Sequence, residues 1–142
     1  MVDTDRATQA TTRTTEKQTT KKTMFIFERL ETWQKAVAFA DLVYRTTQSF
    51  PADERFGLTN QMRRAAVSIS SNIAEGRSRF SKTDFARFLE IAAGSLFEVV
   101  SQAFIGRRQG FITEAGFHRL YTAAEEQGKM LSGLRRSQLD QI

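Results

Sequence analysis

The sequence predicts an all-α protein, an antiparallel up-down four-helix bundle that follows a disordered N-terminal tail. Apolar residues recur at steps of three and four along four long stretches, which is the period of a helix. The 142 residues include a single proline, Pro51, whereas turn-rich β structure uses more. Short connections between the four stretches favour antiparallel neighbours.

Residues 1–24 are rich in threonine and carry more basic than acidic side chains, with no apolar period. Their apolar surface is too small to offset the entropy lost on ordering. We therefore predict a disordered basic tail over 1–24 and a bundle domain over 25–142. A basic arm on nucleic acid and an inert extension both fit this tail, and its composition favours the inert extension.

The first helix is predicted over 29–48, and it ends because Phe50 precedes Pro51 and the residue before proline avoids helical geometry. Two apolar faces are visible on it, which suggests more than one packing neighbour. One face contains Leu30, Trp33, Val37, Ala40 and Tyr44, and the other contains Ala36, Phe39 and Val43.

The second helix is predicted over 54–75, where Asp53 and Glu54 supply an N-cap and a favourable first-turn charge. Gly57 suggests a short turn before the regular part. Gly76 is interpreted as the stop signal, because glycine adopts the left-handed conformation at little cost. The predicted core residues are Leu58, Met62, Ala65, Ile69 and Ile73.

The third helix is predicted over 82–107, since Ser81 with Asp84 three residues later is a helix-start signature. Gly94 costs a helix about 1 kcal/mol relative to alanine. We expect this glycine at a close crossing with the small residues 68–74 of the second helix. The predicted core residues are Phe85, Leu89, Ala92, Leu96, Val99 and Ala103.

The fourth helix is predicted over 113–136, with Thr113 as its N-cap. Gly128 and Gly133 lower its intrinsic propensity, so packing must hold it. Its predicted core residues are Phe117, Leu120, Ala124, Gln127, Leu131 and Leu134.

The composition limits the classes of function. The chain has no cysteine, which excludes disulfides and thiolate metal sites and fits a reducing, cytoplasmic compartment. It has no run of about 18 apolar residues, so we expect no membrane span. A net charge of +5 permits a polyanionic partner without requiring one.

Polar residues interrupt the two helices richest in small side chains. They form either a site at the helix crossing or a buried hydrogen-bond network that fixes helix register, and we favour the network. If the protein were an enzyme, its only plausible active site would contain Asn72, Glu75 and Glu98. The full set is Asn72, Glu75, Ser95 and Glu98.

The chain lacks the known signatures of catalysis in such a fold. A di-iron bundle needs Glu-x-x-His on two helices, but the single histidine, His118, has only Glu114 four residues before it. Two ligands do not make a metal site. Neither GxxxxGK[ST] nor GxGxxG occurs. We predict no catalytic residue, no metal and no cofactor, and hence not an enzyme.

Basic residues cluster around the junction of the second and third helices. We take them as candidate nucleic-acid contacts, while solvated arginines in ion pairs remain an equal alternative. Arg107 and Arg108 lie at the other end of the third helix, about 37 Å away. The candidates are Arg63, Arg64, Arg77, Arg79, Lys82 and Arg87.

The apolar faces exceed what one bundle needs. A helix in a lone bundle buries one face, yet the first and third helices each show two. Soluble monomers rarely expose such a surplus, so we expect identical chains to share it. The candidate interface residues are Phe39, Phe88 and Phe104.

Three segments resemble the 23S rRNA intervening-sequence family: LETWQKAVAFADLVYRTTQSFPADERFGL, QMRRAAVSISSNIAEGRSR and FLEIAAGSLFE. The resemblance covers roughly residues 28–136. It implies an up-down bundle that assembles as a ring-like homopentamer, first noticed as reading frames within insertions in bacterial 23S rRNA genes, without a settled activity. A related fold occurs in the accessory protein of diversity-generating retroelements, which binds its reverse transcriptase and nucleic acid.

Two hypotheses follow from these residues and this resemblance. The leading one is a non-enzymatic homo-oligomer, a pentamer by the resemblance, that binds RNA, DNA or a nucleoprotein through repeated basic patches. The alternative is a protein-interaction scaffold that docks a partner enzyme such as a reverse transcriptase. Neither involves a membrane.

Overall fold

A computed structural model describes residues 25–142 as four α-helices, and the predicted tail lies outside the described residues. They are α1 (Glu31–Thr47), α2 (Leu58–Arg77), α3 (Lys82–Arg108) and α4 (Glu114–Leu139). Short 3-10 turns, Ile26–Arg29 and Ala52–Glu54, precede α1 and α2. No strand occurs between residues 25 and 142.

Each helix packs against two neighbours, α1 and α3 both contacting α2 and α4. The contacts run in opposite directions along α2 and α3 and along α3 and α4, where Arg107 pairs with Glu114 and the earlier Glu90 pairs with the later Arg135. Ser68 meets Ser95 while Gly76, later in α2, meets the earlier Phe88 of α3. The prediction of an antiparallel four-helix bundle is confirmed.

The core confirms most of the predicted apolar lines. Every predicted core residue of α2 and α3 is buried, and those of α4 are buried except for the partly buried Leu134. In α1 the second face, with Ala36, Phe39 and Val43, points into the core, whereas Val37 and Tyr44 are 38% and 42% exposed. Because both faces follow the helical period, only packing could choose between them.

The helix starts depend on particular side chains. Ser81 Oγ accepts a hydrogen bond from Asp84 N, and Thr113 Oγ1 accepts one from Gly116 N, both at 3.0 Å. The predicted N-terminal caps Ser81 and Thr113 are therefore confirmed, whereas the cap predicted at Asp53 is wrong because α2 begins later, after Gly57. The start of α2 differs, because residues before Gly57 form a separate turn and Glu54 Oε1 accepts the Leu58 N–H at 3.0 Å.

Two glycines have roles other than those expected. Gly76 lies inside α2 with no positive φ, and Phe88 Cβ would stand 2.6 Å from a Cβ added to it. It is therefore the close-approach glycine of the α2–α3 crossing, and its interpretation as a left-handed stop signal is wrong. Gly94, expected at that crossing, has nothing within 4 Å of an added Cβ.

Two of the three candidate interface phenylalanines lie inside the subunit. Phe39 and Phe88 are only 3% and 7% exposed, so the expectation that they form a contact surface is wrong. Phe104 is 41% exposed and packs edge-on against Phe117, with centroids 4.9 Å apart. For Phe104 a role between subunits stays a prediction.

Helix α3 is the most apolar element of the bundle. By length and composition alone it is the one helix of the described residues that could cross a membrane, and 39% of its apolar window is buried in the bundle. The core helix of a soluble bundle passes the same test.

Candidate nucleic-acid interface

The turn that joins α2 to α3 forms a groove of about 370 Å³. Its rim carries Arg77, Arg79 and Lys82, and no acidic side chain lines it. The floor is apolar, with Leu30, Phe85 and Leu134 from three different elements. The cations lie together because α2 ends and α3 begins within the run RSRFSK, which places this run at one end of the bundle.

Packing and ion pairs hold two arginines beside this groove. The guanidiniums of Arg79 and Arg87 lie 4.8 and 4.6 Å from the ring centroid of the buried Phe88. Arg79 also pairs with Glu75 at 2.8 Å, and Arg87 pairs with Asp84 at 3.7 Å. These contacts orient the two cations and partly neutralise them, as the ion-pair alternative expects.

Arg77 and Lys82 differ from these two because neither has a carboxylate partner within residues 25–142. Lys82 Nζ donates to Gln141 Oε1, which leaves its charge uncompensated. Arg77 is half-buried at the rim of the groove. The groove therefore offers two uncompensated positive charges, an attractive site for an anion.

The other two candidates lie elsewhere. Arg63 and Arg64 precede Arg77 by about 20 Å along α2, so the structure does not bring the six basic residues together. Arg63 has a packing role, because its Nε donates to Thr47 Oγ1 at 2.9 Å and its guanidinium lies 4.6 Å from the Tyr44 ring centroid. Arg64 is exposed.

Replacing Arg63 by alanine is expected to lower the free energy of unfolding by about 1–3 kcal/mol, because it removes the bond to the buried Thr47 hydroxyl and the contact with Tyr44. Arg64→Ala is the matched control, with an expected change within about 0.5 kcal/mol. Urea denaturation followed by circular dichroism measures both. Equal effects of the two variants would contradict the packing role of Arg63.

The predicted polar network exists in a smaller form than expected. Ser68 Oγ lies 2.9 Å from Ser95 Oγ, and Asn72 Nδ2 donates to Ser68 O and Oγ at 2.8 and 3.0 Å. Glu75 and Glu98 are exposed and outside it, a correction to the predicted set. Glu75 lies near the Phe88 level of α3, about 15 Å before Glu98, so the two carboxylates do not form one site.

Sequence reasoning missed Phe80, which stands in the same groove. Its ring is fully exposed between Arg79 and Ser81. An aromatic residue inside a basic turn, as in RSRFSK, was the available signal. Helical periodicity predicts roles only for residues within helices, and Phe80 belongs to neither α2 nor α3.

The opposite end of the bundle also carries arginines. Arg107 pairs with Glu114 at 3.7 Å and lies 3.9 Å from the Phe117 ring centroid. Arg108 is exposed beside it. Arg107 is therefore engaged by both a carboxylate and an aromatic ring, which partly neutralises it.

The outward side of α3 exposes several large apolar residues and Gly94. We call this set the outer α3 face, and Phe97 is its most exposed member at 71%. Phe97 also borders a groove of about 760 Å³ between α3 and α4. The face consists of Ile91, Gly94, Phe97, Phe104 and Ile105.

These features define a class of protein: a small antiparallel four-helix bundle with a basic, acid-free groove at the α2–α3 turn and an outer α3 face that exposes large apolar side chains. Within residues 25–142, no three histidine, cysteine or acidic side chains come together as metal ligands.

The chain belongs to the family of 23S rRNA-intervening sequence proteins, whose family model matches residues 28–133. The crystal structure of a protein of unknown function from the S23 ribosomal protein family of Bacteroides thetaiotaomicron VPI-5482 is similar, with a TM-score of 0.66 and 23% sequence identity. That match covers 73% of this chain and 97% of the other, and it supports the fold alone. Among curated proteins no match was found.

Proposed function

We propose that this protein is a non-enzymatic homo-oligomer that binds nucleic acid through the groove at the α2–α3 turn. One observation carries the proposal: Arg77, Arg79 and Lys82 line a single groove without an acidic side chain. Phosphate oxygens pair well with guanidinium and ammonium groups. In this proposal the groove tracks the phosphate backbone and reads no base sequence directly.

Oligomerisation would repeat this groove around a symmetry axis. The outer α3 face supports such an assembly, because Ile91, Phe97 and Ile105 are 42%, 71% and 50% exposed on one helix. An interface centred on aromatic and aliphatic side chains would remove them from water. The family resemblance implies five copies, and a native mass measurement would test that number.

The first test is the salt dependence of binding to fluorescein-labelled RNA and DNA, measured by fluorescence anisotropy. Substituting all three groove cations (R77Q/R79Q/K82Q) is expected to flatten the slope of log K against log salt by about 2 for a single strand, because each lost phosphate contact removes about 0.7. The affinity at low salt should fall with it.

A matched control removes the same number of charges from the other end of the bundle. Arg45, Arg55 and Arg119 are exposed there, and R45Q/R55Q/R119Q should leave the slope within about 0.5 of wild type. If both triple variants lose binding equally, net charge rather than the groove is responsible. Salt-independent or absent binding by the wild type would refute the proposal.

A second candidate function is a scaffold that docks a partner enzyme, such as a reverse transcriptase. The α3–α4 groove favours it, because Phe97 and Leu131 stand there beside charges of both signs, including Glu90 and Lys129. Such a mixed, concave surface suits a protein segment better than a polyanion. Co-purification from the native host distinguishes the two candidates, since a scaffold retains its protein partner after nuclease treatment.

A further inference from the structure

We infer that the groove at the α2–α3 turn binds single-stranded nucleic acid, with an unpaired base stacked on Phe80. This inference rests on the proposed function and names the form of nucleic acid that the groove takes. Its observation is separate from the charges: a fully exposed phenylalanine in the rim that carries Arg77, Arg79 and Lys82.

Exposure of Phe80 is difficult to explain within the subunit. Phe85 is buried five residues later, and Phe88 is buried beneath two guanidiniums. Phe80 lies outside both helices and has no aromatic neighbour among residues 25–142. A full ring in water loses the burial energy that a phenylalanine normally gains, so a ligand that covers it would recover that energy.

The surroundings of Phe80 are complementary to both the phosphate and the base of a nucleotide. Arg77 and Lys82, which have no carboxylate partner among the described residues, can meet phosphates, and the ring of Phe80 offers a face to a base. Aromatic platforms within a basic groove are the common device for binding single strands without sequence preference. A duplex keeps its bases stacked inside and leaves such a ring unused.

The test compares one labelled 20-nucleotide strand, as RNA and as DNA, with the same strand annealed to its complement. Phe80→Ala should weaken single-strand binding by roughly 5- to 150-fold, the range for losing one base–aromatic stack, and leave duplex binding unchanged. Phe80→Tyr keeps a stacking face and should restore binding. Phe56→Ala is the matched control, because Phe56 is 85% exposed outside the groove.

A spectroscopic readout separates stacking from a structural effect. The chain has one tryptophan, so Phe80→Trp adds a second indole at the groove. Its emission should be quenched by the single strand and not by the duplex. Equal quenching, or wild-type affinity of Phe80→Ala for the single strand, would overturn the stacking role.

Comparing R77Q/R79Q/K82Q with Phe80→Ala distinguishes a failure of the single-strand inference from a failure of the proposed groove. If R77Q/R79Q/K82Q loses binding while Phe80→Ala retains it, the single-strand inference falls and the phosphate-binding groove stands. If neither variant changes binding, the groove is not the nucleic-acid site at all. A higher affinity of the RNA or the DNA strand identifies which source of single strand the groove prefers.

Discussion

Replacing Phe97 by glutamate is expected to dissociate the proposed oligomer into monomers at micromolar concentration. Phe97 is the most exposed residue of the outer α3 face. A carboxylate buried there without a partner would cost several kcal/mol in each interface. Each single bundle should keep its fold, because the side chain has little contact with its own core. Size-exclusion chromatography with light scattering measures the mass, and circular dichroism checks the helices.

Phe56→Glu provides the control for this experiment. It introduces the same charge at another exposed phenylalanine, in the connection before α2 rather than on α3. If Phe56→Glu dissociates the protein and Phe97→Glu does not, the interface lies at the other surface. A wild-type protein that is already monomeric would contradict the oligomer and the repeated groove together.

Replacing the buried Gly76 is expected to lower the stability of the subunit, because this glycine permits the close approach of α2 and α3. An added Cβ would lie 2.6 Å from Phe88 Cβ and 3.0 Å from Phe85 Cδ1. The first atom is next to the backbone, so α2 and α3 must separate. Gly76→Ala should cost about 1–3 kcal/mol, and Gly76→Val should cost more because it inserts two further carbons. Thermal and urea denaturation measure both.

Gly133→Ala is the matched control, since nothing lies within 4 Å of a Cβ added there. It should stabilise α4 by up to about 1 kcal/mol through helix propensity alone. If Gly76→Ala were instead stabilising by a similar amount, the close α2–α3 approach would be refuted.

Because Phe88 supports Arg79 and Arg87, Gly76→Val should also weaken nucleic-acid binding.

Much of the fold follows from local patterns. The lines Leu58 to Ile73 and Phe85 to Ala103 are buried as the helical period predicted, and Ser81 and Thr113 cap the helices that follow them. These features depend on residues three or four positions apart, which a sequence displays directly. The family assignment rests on motifs of the same kind.

The candidate site was only partly predictable. The run RSRFSK placed cations at one turn, and Glu75 stands only four residues before Arg79, so that ion pair was within reach of the sequence. The sequence could not show that Arg63 binds Thr47, sixteen residues away. Thr47 lies on another helix, and its approach to Arg63 depends on the packing of the whole bundle.

The sequence by itself determined four helices, most of their buried faces and a basic turn between the second and third, because periodicity, capping and charge runs act over a few residues. Tertiary structure alone decided which face of α1 is core, that Phe39 and Phe88 are interior, that Gly76 rather than Gly94 marks the close crossing, and that Phe80 is exposed. Those outcomes depend on where neighbouring helices touch, and helix contacts join residues far apart in the chain.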